Sequence, residues 1–139
     1  MDNNRITLKE AIKFHGHLGP YLVLGILAGE LAVKKLKSKK YFDLAVKVWG
    51  ANKKPKSCLI DGLQLSTGAT YGKENIEKLN SSIIKMEFRN LLNHKEIILK
   101  LTDKLVEELK KTNRHKDSEI LAKRLYKTDH AKLFNLTPD

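Results

Sequence analysis

The sequence contains one cysteine, Cys58, so it can close no internal disulfide and cannot build a zinc module from cysteine pairs. A reducing compartment, the cytoplasm, is the expectation. Its three prolines are too few for a proline-rich linker or a fibrous repeat. No apolar stretch reaches the roughly 20 residues needed to span a bilayer, because the longest, Leu18 to Gly29, stops at Glu30. No membrane partner is expected. Met1 to Arg5 has no basic segment leading into an apolar one, so a secretory signal is not expected either. Arginine is scarce too. Arg5, Arg89, Arg114 and Arg124 are the only four among 27 basic residues. The guanidinium fork is the usual device for reading bases and gripping phosphates, so this scarcity argues against nucleic acid as the main partner despite a net charge of +11. Scattered lysines balanced by glutamates also form the solvated surfaces of thermophile proteins.

With 41% hydrophobic and 31% charged residues over 139 positions, the composition is that of one globular domain, residues 1 to 139. Thr7-Leu8-Lys9-Glu10 is a capping box, predicting a helix to about Phe14. Gly16 and Gly19 interrupt it, and Pro20 is placed to open a second helix running to about Lys37. That helix is apolar on almost every face, which predicts central burial. Gly25, Ala28, Gly29 and Ala32 would let another backbone approach closely, as core packing and not as a cofactor box. Phe42 to Trp49 alternates as a half-buried strand, and Ser57 is placed to cap a helix from Cys58 through Leu65 that Gly68 ends. Ser82 to Arg89 and Glu96 to Leu101 read as strands joined by a hairpin connection. Thr102 to Lys111 and Asp117 to Tyr126 read as amphipathic helices, and His130 to Leu136 as a last short turn. The expected class is α+β, an antiparallel or mixed sheet packed with one long buried helix and several shorter ones.

His15-Gly16-His17 sits at a glycine-hinged helix junction that can aim two imidazoles into one cleft. Cys58 falls at the first position of a helix, near Lys53, Lys54 and Lys56, which favours the thiolate. Two imidazoles and a thiolate suit a divalent transition metal, zinc above all, with a fourth position open to water or substrate. Asp61 lies on the Cys58 face of the helix, placed to orient a ligand histidine or a water, with Gln64 one turn further. The segment from Thr67 to Lys73 has two glycines and a lysine but not Walker spacing, and Glu74 follows the lysine. It reads as a helix-terminating turn whose Thr67, Thr70 and Lys73 could touch a ligand. Each of these polar residues has a bland counterpart as a buried core group or a solvated surface.

Together, Phe14-His15-Gly16-His17-Leu18-Gly19-Pro20 and the stretch Cys58-Leu59-Ile60-Asp61-Gly62-Leu63-Gln64 through Thr67-Gly68-Ala69-Thr70-Tyr71-Gly72-Lys73 resemble the core domain of the formylmethanofuran dehydrogenase E-subunit family. The resemblance implies an α+β core, a homodimer, and a metal-binding cleft to which His15, His17 and Cys58 would contribute. It also implies a small molecule of one-carbon or related redox metabolism as ligand or substrate, or an accessory role beside an enzyme. A small anionic ligand fits both. Gly19 and Ala69 stand where many members carry cysteine, which argues against a dithiol redox centre. No cysteine follows Cys58, so the C-terminal zinc finger of some members is not expected. The rival reading is nucleic-acid binding through Lys110, Lys111, Arg114, Lys123, Arg124 and Lys127.

Overall fold

The computed structural model describes residues 5–138. In chain order it places α1 over Leu8–His15, α2 over Pro20–Leu36, β1 over Leu44–Trp49, α3 over Cys58–Thr67, and β2 over Ile76–Leu79. There follow β3 over Lys85–Asn90, β4 over Glu96–Leu101, α4 over Asp103–Lys111, α5 over His115–Tyr126, a 3-10 turn at His130–Lys132, and β5 over Phe134–Thr137. The five strands form one mixed sheet in the order β2-β1-β3-β4-β5. β1 and β2 are parallel, joined across α3, and the other neighbours are antiparallel. The fold is α+β.

Local chemistry explains most boundaries. Thr7 accepts from the Glu10 amide while the Glu10 carboxylate accepts from the Thr7 amide, so the capping box forms and α1 starts at Leu8. Pro20 opens α2 after an extended Gly19. β1 begins two residues later than alternation alone suggests. Phe42 lies in the preceding turn and is 73% exposed, so only Leu44, Val46 and Val48 of the apolar set face the core. Ser57 is helical and makes no side-chain cap. Cys58, Leu59 and Ile60 instead donate their amides to the carbonyls of Pro55, Lys56 and Ser57, so turns upstream already satisfy the groups a hydroxyl would have served. β2 and β5 were not expected.

α2 is the centre of the core, with Leu22, Val23, Leu24, Ile26, Leu27, Ala28 and Ala32 fully buried. Its small residues do bring a second backbone close. A Cβ at Gly25 would fall 2.1 Å from the Leu59 carbonyl oxygen, and one at Gly62 2.2 Å from that of Leu22. One turn on, Gly29 meets Ser66 and Thr67 of α3. Matching 25 with 59–62 and 29 with 66–67 means that α2 and α3 run parallel. α5 runs the same way: its first residue lies near His17, while at its far end the Tyr126 hydroxyl donates to the Ile6 carbonyl and Arg5 stacks on the Tyr126 ring and pairs with Glu30. Three helices therefore begin at one end of the molecule. Among the described residues, no helix is long and apolar enough to cross a membrane.

Candidate metal centre

His15 is the last residue of α1, and Gly16 follows in the left-handed region at φ 109°, turning the chain so that His17 comes back beside His15. The two ring centres are 5.0 Å apart. Cys58 arrives from the start of α3. One ring nitrogen from each histidine and the Cys58 sulfur all lie within 4.8 Å of one another.

The spacing can be compared with what a metal requires. Zinc binds imidazole nitrogen at about 2.0–2.1 Å and thiolate at about 2.3 Å, so two imidazoles on one tetrahedral ion have ring centres roughly 5 Å apart. The histidine pair meets that geometry as it stands. His15 adds a second indication, because its Nδ1 lies 2.6 Å from the Asp61 carboxylate. A carboxylate oxygen only accepts, so Nδ1 carries the proton and Nε2 of the neutral ring keeps its lone pair. That Nε2 is buried and has no hydrogen-bond partner among the described residues. A buried acceptor left unpaired is costly and calls for an explanation, and carboxylate-oriented histidine is the usual support of a metal ligand. The donor set fits a divalent metal.

Cys58 departs from expectation. Burial, and after it the Asp61 charge, push its thiol above the ordinary value, against the smaller pull of Lys54. The expected thiolate is therefore not favoured in the metal-free protein. The carboxylate that orients His15 stands on the same helix face one turn away, and with burial it outweighs the pull of Lys54 and of the Cys58 amide.

A pocket of about 110 Å³ adjoins the cluster, lined by His17, Gly19, Pro20, Pro55, Cys58 and, from α5, His115 and Ser118 among others. The volume leaves room for only a few water-sized groups. The first residues of α2, α3 and α5 all border it, so the positive ends of three helix dipoles lie beside it and favour negative charge there, although the opening amides of α3 are already bonded to the turn before it.

The remaining candidates sit elsewhere. Gln64 accepts from the Tyr71 amide at 3.4 Å. Thr67 donates to the Leu63 carbonyl and accepts from the Ala69 amide. Thr70 accepts from both the amide and the ammonium of Lys73, whose side chain also lies over Phe42. Thr67 ends α3, about 13 Å along the helix from Cys58 at 1.5 Å per residue, and Thr70 and Lys73 lie in the turn beyond it. The two departures from cysteine also separate. A Cβ at position 19 would lie 3.4 Å from His17 Cε1, whereas Ala69 is buried in the core beyond Gly68, the residue that ends α3.

Two residues near the cluster were not singled out by the sequence reading. Tyr71, about half exposed, has its hydroxyl pushed up by burial and by Asp61. His115 comes from a helix whose pattern reads only as amphipathic, and packing alone brings it beside His17.

The family model described as "FmdE, Molybdenum formylmethanofuran dehydrogenase operon" matches residues 14–136, which include the histidine pair, Cys58 and nearly all of the sheet. No curated protein matches the chain.

Proposed function

The chain belongs to the FmdE family, and from that premise we propose that it binds one divalent transition metal, zinc, through His15, His17 and Cys58, with Asp61 orienting His15. The observation that carries this reading is the His15 ring: one nitrogen clamped by a carboxylate, the other buried and unpaired among the described residues, in a cluster with a second imidazole and a thiol. When bound, zinc would supply Lewis-acid polarisation of a substrate oxygen or an activated water. The protein's own groups hold the proton on Nδ1 of His15, keep the thiol of Cys58 protonated until metal displaces the proton, and limit the pocket to a small group.

The ligand class follows from the pocket. Its small volume and the three helix N-termini favour a small anion, such as a carboxylate of one or two carbons, or the anionic end of a larger molecule whose body stays outside. That agrees with a place in one-carbon or related redox metabolism, in the cytoplasm, as a homodimer or as an accessory component of a larger enzyme. Metal analysis of protein purified without a histidine tag is expected to find about one equivalent per chain. Absence of metal after growth and dialysis in zinc-containing buffer, with no uptake on titration, refutes the reading. A metal-loaded dimer that turns over no small substrate but co-purifies with an enzyme selects the accessory role.

A further inference from the structure

We propose that His115, in the first turn of α5, is the fourth protein ligand of this centre; the inference rests on the metal reading of His15, His17 and Cys58. His115 and Cys58 border the same small pocket, and the His115 ring centre lies 6.2 Å from that of His17. The His15 and His17 rings, at 5.0 Å, already have the separation of two imidazoles on one ion. His115 is therefore about 1 Å outside that separation.

Little holds it there. The side chain is 76% exposed, and among the described residues its one polar tie is Nε2 to the Glu119 carboxylate at 3.0 Å, one turn along the same helix. An exposed pair of this kind is weak, and rotation about the side-chain bonds exchanges Glu119 for the pocket. The ordinary account of such a residue is a solvated histidine paired at i,i+4. That account leaves unexplained why the residue borders the same pocket as His17 and Cys58. With His115 in place the donor set becomes three imidazoles and one thiolate, which completes a tetrahedron. His115 would then close the fourth position, and a small anion could reach it only in place of His115. His115 belongs to no motif that the amino-terminal half of the chain carries, so the fourth donor is a property of how α5 packs.

The test compares wild-type protein with His115→Ala, in zinc-affinity titrations and in visible spectra of the cobalt-substituted forms. The substitution is at an exposed position and leaves the core untouched. Expected results are a zinc dissociation constant about tenfold or more higher in the variant, a changed cobalt spectrum, and a further change when azide or formate is added to the variant but not to wild type at the same concentration. If both proteins bind zinc equally and give one cobalt spectrum, the fourth-ligand assignment is overturned and the three-residue centre stands. If wild type takes up neither metal, the centre itself is lost and this inference with it.

Discussion

The two ends of α3 are made from one continuous stretch of sequence, yet they have opposite characters. At its start, Cys58, outside any disulfide, and Asp61 meet His15 and His17, and Nε2 of His15 is left buried without a partner among the described residues. At its end, Thr67, Thr70, Lys73 and Gln64 are bonded to nearby amides, carbonyls and one another. An end whose polar groups satisfy each other holds a turn in place. An end that leaves a buried acceptor free is prepared for something from outside.

The largest effect expected from breaking this contrast is in Cys58→Ala. Metal affinity should fall about 100-fold or more, roughly 2.7 kcal/mol, while the melting temperature of the metal-free protein changes little; retained affinity in a calorimetric titration would remove Cys58 from the site. Asp61→Ala should weaken binding by about 10- to 100-fold, because His15 loses the group that fixes its tautomer and its aim. A loss confined to stability, with metal affinity intact, would make Asp61 an ordinary surface carboxylate. Thr67→Val tests the other end. It strands the buried Ala69 amide and should cost about 1–3 kcal/mol in denaturant unfolding, with zinc affinity unchanged; weaker metal binding would join the two ends functionally.

A smaller, graded effect comes from pH. Metal must displace the Cys58 proton, so affinity should rise about tenfold per pH unit and keep rising beyond the ordinary cysteine value of 9.0, because the folded thiol sits above it. Stability of the metal-free protein has the opposite slope. Cys58, Tyr21, Tyr71 and Tyr126 all hold their protons more tightly when folded, so the unfolded chain ionises first. Their contribution is complete below the ordinary values, 9.0 for Cys58 and 10.0 for the tyrosines, and is lost as pH rises past them toward the folded values. Thermal melts with and without zinc between neutral and alkaline pH should therefore diverge, and parallel curves would argue against a thiolate ligand.

Much of this contrast was open to sequence reasoning. α2 was legible because Pro20 starts it and an apolar run with no polar face can only be buried. β4 was legible because Ile97, Leu99 and Leu101 alternate cleanly into the core. β2 and β5 escaped because each is a four-residue edge strand with one buried residue, Ile76 in one and Phe134 in the other, which leaves too little alternation to register. The histidine pair, Cys58 and Asp61 could be named as a group because their spacing carries the resemblance. Their mutual approach depends on Gly25 and Gly62, which the sequence marks only as small. The state of the Cys58 thiol was misjudged because helix position and nearby lysines were visible, whereas burial beside Asp61 arises only on folding. His115 comes beside His17, and Tyr71 under the influence of Asp61, through tertiary packing, which no local pattern announces.

The glycine contact between α2 and α3 has a mechanical consequence. With backbone seated on backbone at Gly25 and Gly62, neither helix can slide or roll past the other without steric overlap. The sulfur is thereby mounted on a fixed jaw. Gly16, where an added Cβ would touch nothing within 4 Å, is the elbow between His15 and His17. Any tightening of the donors around an arriving ion would fall to His17, because His15 is already tied to that jaw through Asp61.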